Sequence, residues 1–252
     1  MINPMDLTGK KILITGASSG IGKATAIQLS KLGAKIVLIA RNEEKLRDAF
    51  SQLKGDGHAY YSFDLKNISE VESLIKRIIT DFGAINGCVH CAGIAPMRPI
   101  SMTKYDFIHD VMQINFYSFV ELVRCLSKKG NYIEGGSFIA MSSAASRIGD
   151  KSKVAYCASK AALDSSIRCM AKELAVKKIR VNSVMPGWVA TEMYTDYIAE
   201  HGTSEDAGKI LARQYMGVTE PIEIANAVAY LLSDMSKTIT GTSLVIDGGC
   251  LS

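Results

Sequence analysis

The stretch KKILITGASSGIG, residues 10–22, decides the fold. KKILIT reads as a buried strand, apolar and rich in β-branched residues. It breaks on Gly16, passes Ser18 and Ser19, and meets Gly20 and Gly22. Apolar residues then recur at helical spacing over 21–32, stopping before Gly33. Gly16 permits a tight turn, while Gly20 and Gly22 let a second backbone approach and the helix pack on the strand. The helix start offers unpaired N–H groups and partial positive charge, which suits a phosphate. The spacing is G-x-x-x-G-x-G rather than G-x-G-x-x-G. On its own the turn is a weak signal, because ordinary strand-to-helix turns also use glycine.

Outward from this turn the pattern repeats. Further strand candidates are KIVLIA (35–40), HAYYSF (58–63), INGCVHCAG (85–93), GGSFIAMSS (135–143), KIRVNSVMPG (178–187) and SLVID (243–247). Helical patterns cover 43–53, 69–81, 104–127, 155–176 and 221–232, and 188–216 reads as irregular and aromatic. Strands alternating with helices predict a doubly wound, Rossmann-type α/β fold. Its sheet is mostly parallel and seven-stranded, with helices on both faces. No linker, repeat or low-complexity segment intervenes, so 1–252 reads as one domain.

The bulk properties narrow the class. The chain is 48% hydrophobic and 21% charged, with a net charge of +4. That charge is too mild, and too evenly spread, to predict a nucleic-acid partner. No apolar run reaches the ~18 residues of a membrane span, and MINPMDLTGKK lacks the apolar centre of a signal peptide. Six scattered cysteines fit a reducing compartment better than a disulfide framework. The expectation is a soluble cytoplasmic protein.

Cys88 and Cys91 in CVHCAG form a C-x-x-C around His90. A redox dithiol, half a metal site and plain packing all share that spacing. Strand alternation sends two side chains three apart to opposite faces, which favours packing. His58, His109 and His201 are scattered, so no metal site is expected.

Two strand ends bear on a nucleotide. A carboxylate ending the second strand would accept bonds from a ribose 2′-hydroxyl and repel a 2′-phosphate. This chain has Ala40-Arg41-Asn42 there, and Arg41 would pair with the phosphate. NADP(H) is therefore expected over NAD(H), unless Arg41 is only a solvated surface charge. Asp64, ending the third strand, would hold an adenine amine or simply cap the next segment.

Tyr156 and Lys160 in AYCASK stand four apart and share one face of a helix. An ammonium beside a phenol favours phenolate, so the pair would exchange a proton with a carbonyl or alcohol. Ser143, at the end of the fifth strand, would hold the substrate oxygen or serve as a cap. Each signal is common by chance. Their ordered set is not: TGASSGIG, Asp64, Ala92-Gly93, Asn115, Ser143, YCASK and PGWVAT follow one another at matching spacings.

That set resembles the short-chain dehydrogenase/reductase family, over essentially the whole chain from Lys10 to Gly249. The resemblance implies roles. Tyr156 would be the acid/base, Lys160 would lower its pKa and hold the nicotinamide ribose, Ser143 would orient the carbonyl, and Asn115 would hold a relay water. Gly16, Ser18, Ser19, Gly20, Ile21 and Gly22 would form the phosphate turn, followed by Arg41 and Asn42. Asp64 and Leu65 would contact adenine. Cys91, Ala92 and Gly93 would line the cofactor ribose, and Pro186, Gly187, Val189 and Thr191 the nicotinamide carboxamide. The family usually reads Asn-Asn-Ala-Gly where this chain has His90-Cys91-Ala92-Gly93, so the amides that brace the strand are replaced. ITGTSLVIDGG (239–249) resembles a strand often found at subunit interfaces, which implies a homotetramer or homodimer.

The expected substrate is a small, partly apolar carbonyl or alcohol. Its wall would include Ala95, Pro96, Met97, Ala145 and Ser146, with 188–216 as a lid. Trp188, Met193, Tyr194 and Tyr197 would either face substrate or pack the lid. Arg147, Lys151 and Lys153 lie near the mouth and would attract an anion or stay solvated. Two other functions fit the same residues. One is a 3-oxoacyl-carrier-protein reductase, with Lys128, Lys129, Lys177 and Lys178 as a basic surface for the carrier. The other is a non-catalytic nucleotide-binding regulator, against which the complete catalytic set argues.

Overall fold

In the computed structural model, which describes residues 3–201, 208 and 212–252, KILIT forms strand β1 (Lys11–Thr15). Helix α1 (Gly20–Lys31) follows the glycine turn directly. The remaining strands are β2 (Lys35–Ala40), β3 (Ala59–Ser62), β4 (Ile85–His90), β5 (Tyr132–Met141), β6 (Arg180–Pro186) and β7 (Ser243–Ile246). They form one sheet in the order β3-β2-β1-β4-β5-β6-β7, and every pairing is parallel. All strands therefore end at the same edge, and the strand order reverses between β1 and β4. That reversal opens a crevice where an open α/β sheet binds ligands.

Side-chain alternation gives the sheet two apolar faces. Leu13, Val37, Ile39 and Phe138 face one way, under α3 (Val71–Phe82), α5 (Ser118–Leu126) and α6 (Val154–Leu174). Ile12, Ile14, Ile36 and Leu38 face the other, under α1, α2 (Glu43–Ser51) and α8 (Pro221–Leu232). Cys88 belongs to the first layer, and Cys91 packs against the second. The C-x-x-C is thus split by the sheet, and all six cysteines are unpaired.

One expectation is refined and one needs correction. The helix expected over 104–127 is α4 (Tyr105–Met112), a π-helical turn (Gln113–Tyr117) and then α5. The Ser118 hydroxyl donates to the Ile114 carbonyl at 2.6 Å, a side-chain bond that competes with the helical ladder there. The segment expected to be irregular contains α7 (Glu192–His201). Glu192 favours its N-terminal turn, and Tyr194 and Tyr197, three apart, both meet the Trp188 ring. Residues 202–207 and 209–211 of the expected lid lie outside the described residues.

Candidate active site

A cleft of about 920 Å³ runs along the carboxyl edge of the sheet. Ser19, Ile21 and Arg41 line one end, and Ser143, Tyr156 and Lys160 line the other. Cys91 and Gly93 lie along its wall, with Pro186, Gly187, Val189 and Thr191. A more open depression of about 780 Å³ lies at the β3 edge among Glu43, Tyr60 and Arg77, away from these groups.

The glycine turn is shaped for close approach. A Cβ on Gly16 would stand 2.6 Å from the Ala92 backbone nitrogen, and one on Gly22 would strike the Gly16 carbonyl. Gly16 and Gly20 also have φ of +64° and +50°, which disfavour a side chain. Ser19 occupies the N-cap of α1 but makes no side-chain bond to the helix. A Cβ on Gly20 would meet the Thr191 side chain at 3.2 Å and Glu192 Oε2 at 3.5 Å, so the start of α7 borders the turn, while Ser19 and Ile21 open onto the cleft; the glycines and the free helix start fit the diphosphate of a dinucleotide.

Further along, the nucleotide residues divide. The Arg41 side chain is 76% exposed, and its Nη1 lies 4.0 Å from Asp64 Oδ2. Asn42 Oδ1 accepts from Lys45 N at 2.9 Å and caps α2. Asp64 Oδ1 accepts from Lys66 N at 3.0 Å, so one of its oxygens serves the turn. The Leu65 side chain is buried in the core, leaving only its backbone for a ligand.

At the other end the polar groups are buried and wired together. Asn115, on the π-helical turn, accepts from Ile94 N and donates to Ile94 O, both at 2.9 Å. The same amide donates to Ser159 Oγ at 2.9 Å, and Ser159 donates to the Tyr156 carbonyl at 2.7 Å. Lys160 Nζ donates to the Met141 carbonyl at 2.7 Å and lies 5.7 Å from the Tyr156 ring centre. A Cβ on Gly93 would crowd both Asn115 Oδ1, at 3.3 Å, and Lys160 Nζ, at 3.4 Å. Gly93 therefore keeps open the space between the two.

Burial sets the titration of these groups. It raises the Tyr156 pKa, which the bond from Ser143 partly offsets. It lowers Lys160 to about 8, against the pull of Cys91 and Asp164. The tyrosine thus holds its proton at neutral pH, while the lysine is poised to exchange one.

His90 replaces the missing amide as a brace. It is 1% exposed, and burial, helped by the Lys160 charge, lowers its pKa to about 3. Its Nδ1 lies 2.8 Å from Thr15 Oγ1 and its Nε2 lies 3.3 Å from Ser118 Oγ. Ser118 gives its proton to Ile114, so the network closes with His90 protonated on Nε2 and accepting from Thr15 on Nδ1. A neutral histidine thereby ties β1 and β4 to the π-helical turn that carries Asn115. Burial also pushes the Cys91 thiol up to about 12, which makes it a packing group rather than a thiolate.

Two residues escaped the sequence reading. Asp164 lies one turn beyond Lys160 on the same face of α6 and accepts from Ser142 at 2.9 Å, Ser183 at 2.8 Å and Ser243 at 3.1 Å. It pins the catalytic helix to β6 and β7, and its i, i+4 spacing from Lys160 was the available signal. Gln214, 4% exposed, donates to the Trp188 carbonyl at 3.0 Å and accepts from Trp188 N at 2.8 Å. It anchors the base of the aromatic segment, and no local pattern marks it.

The basic residues also sort themselves. Lys128 bonds Glu72 at 2.8 Å, Lys177 bonds the Ser127 carbonyl at 2.8 Å, and Lys178 pairs with Glu134. They precede β5 and β6, so they lie at the amino edge of the sheet, opposite the cleft. Of Arg147, Lys151 and Lys153, only Lys153 lines the cleft.

Known proteins match this arrangement. A family model described as enoyl-(acyl carrier protein) reductase matches residues 16–250. L-xylulose reductase of Caenorhabditis elegans is 34% identical over 248 residues, covering 97% of this chain and 96% of that protein. The 3-oxoacyl-acyl-carrier-protein reductase of Haemophilus influenzae is 34% identical over 244 residues, covering 96% and 98%. A crystal structure of a dehydrogenase/reductase from Sinorhizobium meliloti superposes with a TM-score of 0.89 at 30% identity, covering 99% of this chain and 98% of that one. With its all-parallel sheet and its Tyr156–Lys160 helix, the chain belongs to the short-chain dehydrogenase/reductase family of NAD(P)-dependent oxidoreductases, which act on carbonyl and secondary-alcohol groups.

Proposed function

We propose that this chain is an NADP(H)-dependent reductase of a free small-molecule ketone, or the dehydrogenase of the matching alcohol. One observation carries the reading: a single cleft joins Ser19 and Arg41 to Ser143, Tyr156 and Lys160. Gly16, Ser18, Ser19, Gly20, Ile21 and Gly22 hold the diphosphate, and Arg41 with Asn42 meets the 2′-phosphate. The nicotinamide, when bound, supplies or accepts hydride. Ser143 holds the substrate oxygen, and Tyr156 gives that oxygen its proton. Lys160 recharges the tyrosine, and Asn115 steadies the relay by clamping Ile94 and Ser159.

We read the chain as one catalytic domain, with 188–216 as its substrate lid. It works in the cytoplasm, in keeping with six unpaired cysteines. It assembles as a homodimer or homotetramer through β7, which ends the sheet and leaves Val245 36% exposed. The likeness to a 3-oxoacyl-acyl-carrier-protein reductase supports carrier-bound substrates as a second reading. The in-chain bonds of Lys128, Lys177 and Lys178, on the far edge, weigh against that surface as a carrier dock.

The test pairs a nucleotide titration with a ketone panel. NADPH should bind at least about tenfold tighter than NADH, ~1.4 kcal/mol. Tyr156→Phe should lose on the order of 10²–10⁴ in turnover while binding NADPH as the parent does. Full activity in Tyr156→Phe would overturn the assignment.

A further inference from the structure

The aromatic end of the cleft holds a charge that no general feature of the fold requires. Lys153 precedes α6 and is only 8% exposed. Its Nζ lies over three rings, 5.0 Å from the centre of Trp188, 5.2 Å from Tyr197 and 5.9 Å from Tyr156. Trp188 and Tyr197 pack on each other with centres 4.6 Å apart, so the walls of this box are fixed. Among the described residues, no carboxylate oxygen lies within ion-pair distance of Nζ, and no acceptor takes its protons. Asp150 acts on it only through space.

An ammonium has three donors, and burying it without acceptors is costly. Ring faces recover part of that cost. A methionine or leucine would fill the same box at no such cost, so packing alone does not account for the charge. The missing element is an acceptor that arrives in the cleft with a negative charge. A single ammonium matches a single charge. Asp150 and Asp196 line the same cleft and oppose a doubly charged phosphate, and Arg213 there is exposed.

We propose that Lys153 is the residue that recognises the substrate, and that the substrate is a short oxo acid or the corresponding hydroxy acid. Its carboxylate accepts from Lys153 while its oxo group meets Ser143 and Tyr156. Lys153 and Lys160 flank the same tyrosine ring, 5.9 Å and 5.7 Å from its centre. Lys153 thus stands beside the ring that carries the proposed proton donor, which favours a short acid over a long one. This inference rests on the oxidoreductase reading of the cleft, and it names the substrate class of that site.

The chain has one tryptophan, and it forms a wall of the box. Its fluorescence therefore reports on Lys153 without any turnover. Pyruvate, acetoacetate and levulinate, each beside its methyl ester, would be titrated into the NADPH-loaded protein and assayed as substrates. At least one acid should change Trp188 emission saturably and should exceed its ester at least tenfold in kcat/KM. Lys153→Met should raise KM for that acid and bring the acid-to-ester ratio towards one, while Lys153→Arg retains part of the preference. Unchanged NADPH affinity in both variants would show that each has folded. Saturable binding of an acid that is lost in Lys153→Met supports the proposal even without turnover, in which case the chemical reading fails alone. Esters turned over as well as acids, equal losses for both in Lys153→Met, or no acid binding would overturn it.

Discussion

The two ends of the cleft are built on opposite principles. Around Tyr156 the polar groups are buried and bonded to one another: Asn115 is wholly enclosed, Lys160 is 5% exposed, and His90 spans two strands and a helix. Around Arg41 they stand in solvent, with an ion pair stretched to 4.0 Å and the arginine side chain 76% exposed. The proposed chemistry lies where geometry is over-determined, because an unpaired buried group costs more than its bond returns. Under the proposed function, cofactor choice would rest on a single exposed charge that can change without disturbing the sheet.

Three experiments bear on that contrast. The largest effect should come from Gly22→Ala, whose Cβ collides with the Gly16 carbonyl. Backbone must move at the turn, and NADPH affinity should fall by about a hundredfold or more. A near-normal titration would mean that the turn is looser than its spacing requires. Next is His90→Asn, read by denaturant unfolding at two pH values. Folded His90 stays neutral down to about 3, whereas an unfolded histidine takes a proton near 6.5. Between these values the unfolded chain binds more protons, so stability falls as pH drops through that window. At pH 5 the parent should have lost about 2 kcal/mol through this group, and His90→Asn should be spared that loss. Equal slopes for the two proteins would place the histidine outside the network. The smallest effect belongs to Arg41→Ala, which should cut the preference for NADPH over NADH about tenfold, and less in high salt because the site is exposed. An unchanged preference would move the phosphate contact elsewhere.

The sequence made legible whatever depends on short-range period. KILIT, the glycine turn and the i, i+4 pair Tyr156–Lys160 each carry their geometry within a few residues, and the structure places them as read. The split of Cys88 and Cys91 followed from strand alternation alone. What was missed depends on partners distant in the chain. Gln214 matters because Trp188 lies beside it across 26 positions, and Asp164 because three serines, one just beyond β5 and one each on β6 and β7, converge on it. Lys128, Lys177 and Lys178 read as a surface patch until the parallel strands put them on the opposite edge. The helix Glu192–His201 was hidden by its aromatic residues, whose spacing was helical while their bulk suggested a loop.

The π-helical turn at Gln113–Tyr117 has a consequence of phase. One residue more than an α-helical turn rotates everything beyond it by about 100°. The helices on either side, Tyr105–Met112 and Ser118–Leu126, are therefore not one amphipathic cylinder, though they join without a loop. Each has its own apolar stripe, and Asn115 stands in the gap between the two periods. A purely α-helical version of this segment would keep its length and its hydrophobicity and still turn the amide away from Ile94 and Ser159. The irregularity is thus a register mark, fixing which residue of a long helical stretch meets Ile94 and Ser159.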